Sequence, residues 1–164
     1  MKRTVYIETS VISYLAARLS RDVVVVGHQQ ITQEWWDVRE EWDLYVSALV
    51  HGEAGSGDVE AADRRMALLA GIPPLELTDV VYDLANRLVA GAALPTKAME
   101  DAFHIAIATA HGMDYLLTWN CKHIANATLR SRIFSICEKA GYQPPVICTP
   151  EELLGDRNVE RSDY

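Results

Sequence analysis

Four polar residues in this sequence recur in one kind of place. Glu8 closes the β-branched run Thr4 to Ile7, Glu53 follows the run Leu44 to Ser47, and Asn120 follows Tyr115 to Thr118. Asp101 opens the segment Ala98-Met99-Glu100-Asp101-Ala102-Phe103-His104-Ile105-Ala106-Ile107-Ala108, which leaves almost no solvated face if it is helical. A buried, ionised carboxylate costs several kcal/mol unless it is protonated, paired or bound to a metal. Hard oxygen donors of this kind suit Mg2+ or Mn2+ rather than zinc. Taken singly, each residue has a plainer reading. Asp101 or Glu100 can cap a helix and favour its positive end, and a Glu among glycines, as Glu53 is, commonly sits in solvent. The repeated order of short strand and then acid is what points to a shared site.

The elements that must position these residues alternate. Strands are expected at Thr4 to Ile7, Leu44 to Ser47, near Ile72 to Leu75, at Tyr115 to Thr118 and at Val146 to Cys148. Between them, helices are expected from Thr9 or Ser10 to Ala17, from Asp22 to about Glu41, around Glu53 as far as Gly55, and from an Asp58 cap to Ala70. Further helices follow from an Asp79 cap to Ala90, from Lys97 to His111, and from Leu129 to Ala140. Pro150 to Leu154 reads as a terminal turn, and the polar tail from Gly155 as frayed. Strand and helix in alternation imply an α/β fold with a parallel sheet covered on both faces. Ligands of such a sheet gather at the carboxyl ends of its strands, where Glu8 and Asn120 fall.

Composition narrows the class further. A chain of 164 residues, 49% hydrophobic and 23% charged, fits one domain, expected over residues 1–154 with a tail at 155–164. Cys121, Cys137 and Cys148 are odd in number and lack CxxC spacing, which argues against a disulfide framework or zinc knuckle and suits a reducing cytoplasm. Lys2 and Arg3 precede an apolar run cut short at Glu8, and no stretch nears the ~20 apolar residues of a membrane span. With 15 basic against 23 acidic residues the net charge is −8, so a phosphate-binding surface would need a cation at the acidic site.

Val5-Tyr6-Ile7-Glu8-Thr9-Ser10-Val11-Ile12, Asp101-Ala102-Phe103-His104-Ile105-Ala106 and Tyr115-Leu116-Leu117-Thr118-Trp119-Asn120 together resemble the PIN-domain family, in particular the VapC-like toxin ribonucleases of toxin–antitoxin pairs. The resemblance runs from Val5 to about Thr149. It implies a three-layer α/β/α fold around a parallel sheet of about four to five strands. It also implies a Mg2+- or Mn2+-dependent endoribonuclease, a homodimer, and a cognate antitoxin protein as partner. Matched residue by residue, it puts Glu8, Glu53, Asp101 and Asn120 in the site, with polar contacts from Thr9 to Ser10 and from Thr118. Glu8 and Asp101 would be direct ligands, Glu53 a ligand or water-orienting group, and Asn120 a water-mediated contact.

The chain departs from the family pattern in three places. Glu8 stands where Asp is usual, Asn120 stands where an acid is usual, and Lys122 where a second acid often appears. This loss of charge supports an alternative, a PIN-like module of weakened catalysis that binds RNA or protein. A phosphatase or receiver domain also uses strand-end acids, but Glu8-Thr9-Ser10 supplies neither a DxD pair nor adjacent acids. Lys97, Lys122, His123 and Arg130 read as surface charges, Asn126 as a polar group at the rim, and His104 and His111 as packing or rim residues. Trp35, Trp36 and Trp42 invite a base-stacking reading, but at helical spacing Trp35 and Trp42 read as core or dimer contacts.

Overall fold

The computed structural model describes residues 1–91 and 93–161, with side chains as far as Gly155. In chain order, β1 (Thr4–Ile7), α1 (Thr9–Ala16), α2 (Val23–Asp37), β2 (Asp43–Ser47), α3 (Ala48–Ala54), α4 (Val59–Leu69) and β3 (Pro74–Leu75) form the first half. α5 (Asp79–Ala90), α6 (Met99–Ala110), β4 (Tyr115–Leu117), α7 (Ala127–Lys139), β5 (Val146–Cys148) and α8 (Pro150–Arg161) form the second. The expected α/β class holds. Five strands make one sheet in the order β3-β2-β1-β4-β5, every pair parallel, with helices flanking it in a three-layer arrangement.

Strand order fixes where a ligand can bind. β1 is central, with Val5 paired to Leu44 on one side and to Tyr115 on the other. From β1 the chain builds outward through β2 and β3, then crosses by α5 and α6 to build β4 and β5 on the opposite side. The connections leaving β1 and β4 therefore diverge, which opens a crevice at their carboxyl ends. Val5, Tyr6, Ile7, Leu116 and Leu117 are fully buried, as strands covered on both faces must be. α5 turns Val81, Leu84, Ala85 and Leu88 inward at one-turn spacing. α6 buries Ala102 and every residue from His104 to Thr109.

Local signals account for most boundaries, and several expectations are corrected. Asp22 caps α2 by accepting from Val24 N and Val25 N, which carries Val23 to Val26 into a helix despite their strand propensity. That helix stops at Asp37, and Arg39–Glu41 is a separate 3-10 turn. The cap of α1 is Glu8, not Thr9 or Ser10; the cap of α5 is Thr78, not Asp79. Thr96–Ala98 is a 3-10 turn ahead of α6, and α7 starts at Ala127, two residues before Leu129, with Asn126 as its cap. The terminal turn expected at Pro150 is the start of α8, which runs through Gly155 to Arg161; residues 162–164 lie outside the described residues. Trp35 is fully buried against Trp36 and Trp42, with ring centroids 6.3 and 5.8 Å away, so it is a core residue. Among the described residues no helix is long and apolar enough to cross a membrane.

Candidate metal centre

Glu8 leaves β1 with its backbone N–H still donating to Leu117 O at 3.0 Å, so its position is set by the sheet. Its side chain folds back over the first turn of α1. There Oε2 accepts from Ser10 N at 3.1 Å, from the Ser10 hydroxyl, and from Thr118 Oγ1 at 2.7 Å. Oε1 accepts no hydrogen bond among the described residues, and Glu8, only 5% exposed, has no cationic partner among them. Such a buried anion invites a cation.

Glu53 arrives from β2 by way of α3. Ser47 caps that short helix at Val50 N, and Arg65 closes its far end by donating to Ala54 O at 2.8 Å and Ser56 O at 2.6 Å. Glu53 Oε1 lies 2.7 Å from Nε2 of His104, which is 1% exposed in the middle of α6. The other ring nitrogen, Nδ1, lies 2.8 Å from the Tyr6 hydroxyl, itself 2.8 Å from Ser47 Oγ. Burial raises the Tyr6 phenol well above its ordinary value; the Ser47 hydrogen bond offsets part of this, and the charges of Glu8 and Glu53 add to it.

Ligand atoms of Glu8, Glu53 and His104 all lie within 4.8 Å of one another. Around an octahedral ion with bonds of about 2.1 Å, neighbouring donors stand about 3 Å apart and opposite ones about 4.2 Å. Two carboxylates and an imidazole gathered within 4.8 Å could hold a divalent ion after a small inward shift. His104, expected as a packing or rim residue, belongs to the cluster. His111, one heptad later, contacts Glu76 O at 2.8 Å instead. The two share a helix face, so helical spacing does not separate them; what does is the pair of partners, Tyr6 and Glu53, that other elements bring to His104.

Asp101 stands in a second cluster. Oδ1 accepts from Asn120 Nδ2 at 3.0 Å, and Oδ2 lies 2.8 Å from His123 Nδ1, so both oxygens are engaged. Each oxygen keeps a second lone pair, so these contacts orient Asp101 without closing it to an ion. Asn120 Oδ1 accepts from His123 N at 3.1 Å, and Asn120 N donates to Thr118 Oγ1 at 2.9 Å, which links this cluster to Glu8. An acid at position 120 could not donate to Asp101; the amide can. Of the basic residues, Lys97, Lys122 and Arg130 are exposed, while His123 is drawn in by Asp101. The contacts expected of Ser10 and Thr118 are both made to Glu8, whereas Thr9 Oγ1 is buried without a hydrogen-bond partner among the described residues. In comparisons with known proteins, no family model matches the chain and no curated protein matches it significantly.

Proposed function

We propose that the chain is a Mg2+- or Mn2+-dependent endoribonuclease of the PIN type, hydrolysing RNA phosphodiester bonds in the cytoplasm as a homodimer held in check by a small antitoxin protein. One observation carries this reading: ligand atoms of Glu8, at the end of β1, and of Glu53, in the helix that follows the neighbouring parallel β2, lie within 4.8 Å, with one oxygen of the buried Glu8 accepting no hydrogen bond among the described residues. A divalent ion held there would stabilise charge developing on a phosphoryl oxygen and acidify a water. The residues of the chain supply the rest. Ser10 and Thr118 fix the Glu8 carboxylate, His104 fixes Glu53, and Asp101 holds Asn120 and His123 beside them as polar groups for the substrate backbone. The net charge of −8 makes RNA binding depend on that ion.

Incubating the protein with structured and unstructured RNAs in Mg2+, Mn2+ or EDTA, beside Asp101→Ala and Glu8→Gln, tests the reading. Cleavage confined to the metal-containing wild-type reactions is the expected result; cleavage that persists in EDTA or in Glu8→Gln overturns it. The neutral Asn120 and the exposed Lys122, where acids are usual in the family, favour a second reading, a PIN-like module that binds RNA or protein without cutting RNA. That reading predicts RNA retained intact in every arm.

A further inference from the structure

Within the cluster, His104 differs from an ordinary buried histidine in three ways. Its Nε2 faces a carboxylate at 2.7 Å, its Nδ1 is held by a Tyr6–Ser47 pair, and a second carboxylate, Glu8, stands within the same 4.8 Å group. A histidine that binds a metal through one ring nitrogen usually donates its other N–H to a fixed partner, which sets tautomer and ring orientation. Tyr6 Oη, 2.8 Å from Nδ1, is placed to be that partner. In the ion-free chain Nε2–H donates to Glu53 and Nδ1 accepts from Tyr6; with an ion bound, the other tautomer, donating Nδ1–H to Tyr6 Oη, would free the Nε2 lone pair for the metal. The buried Glu8, without a cation among the described residues, independently marks the same spot.

We propose that His104 is a nitrogen ligand, and that the Glu8–Glu53–His104 site takes a first-row transition ion such as Mn2+ in preference to Mg2+. The reason is donor chemistry. Mg2+ favours oxygen ligands and keeps several waters, whereas imidazole nitrogen raises affinity for transition ions in the Irving–Williams order. Without an ion, the contact between Nε2 and Glu53 is a hydrogen bond, and His104 then only orients Glu53. The inference rests on the metal site of the function proposed above but not on its substrate, so the two can fail separately.

The test uses the full chain and Mn2+ as probe, without RNA. Pulsed electron paramagnetic resonance of bound Mn2+ is expected to show nitrogen coupling that is kept in His123→Gln and lost in His104→Gln. Calorimetric titration is expected to give Mn2+ at least about tenfold over Mg2+ in the wild type, close to parity in His104→Gln, and about tenfold weaker Mn2+ binding in Tyr6→Phe. Bound Mn2+ without nitrogen coupling, or coupling that survives His104→Gln, overturns the proposal. Should His104→Gln fail to fold, the spectra of the wild type and His123→Gln decide it. No Mn2+ binding removes both this site and the metal-dependent nuclease; nitrogen-coordinated Mn2+ with no RNA cleavage removes the nuclease alone.

Discussion

Two clusters flank the carboxyl ends of β1 and β4, and they treat a carboxylate in opposite ways. Asp101 is 22% exposed in its side chain and has a donor for each oxygen, so it is satisfied by the protein alone. Glu8 is almost fully buried, gathers its donors on one oxygen and has no cation among the described residues. The difference teaches that an acid in this crevice is left open to a cation by what its neighbours leave undone. Asn120 and His123 complete Asp101; Ser10 and Thr118 orient Glu8 and stop there.

The largest expected effect removes both clusters together. Burial pushes the Cys148 thiol on β5 up from 9.0 to about 12, with Glu152 adding to the rise and Arg130 opposing it. Because the folded chain holds this proton more tightly than the unfolded one, its stabilisation is intact below pH 9.0 and is lost as pH climbs to about 12. The loss from this thiol alone is about 4 kcal/mol, readable in urea melts across that range. Cys137 and Tyr6, raised mainly by burial, act in the same direction.

Within the folded range, Glu8→Gln is expected to weaken Mn2+ binding by more than about 100-fold, beyond what outer-shell changes cost. Asp101→Ala should weaken it far less in a calorimetric titration. If the two variants bind Mn2+ equally poorly, the contrast between the clusters collapses. Asp101→Ala should instead destabilise the metal-free chain by about 1–3 kcal/mol in urea melts, by stranding Asn120 Nδ2 and His123 Nδ1. Asn120→Asp sharpens the comparison from the other side. It sets an acceptor against Asp101, lowering metal-free stability by about 1–2 kcal/mol while strengthening Mn2+ binding. The smallest effect is expected of Thr118→Val, about 1 kcal/mol, because Ser10 still holds Glu8.

Much of this was legible in the residues. Periodicity and breakers place all five strands, and the strand-end rule brings Glu8 to the crevice. Some of what was missed was also written locally. Thr149-Pro150-Glu151-Glu152 is a capping box with proline at the first helical position, and Thr149 and Glu152 exchange hydrogen bonds at 3.3 Å at the start of α8. The misassigned cap at Asp79 is of another kind: Thr78 and Asp79 both suit a cap, and the choice turns on one backbone conformation.

The sequence by itself determined the alternation of elements, hence a parallel sheet, and the presence of acids where its strands end. It did so because hydrophobic period, turn residues and caps act over a few residues and are written contiguously. Only the tertiary structure decided which acids meet. His104 joins Glu53 across 51 positions and Asp101 takes His123 across 22, contacts set by the crossing of α6 beside β1 and β4. Whether a carboxylate stays open or is already satisfied depends on donors arriving from other elements, and no local pattern encodes their arrival.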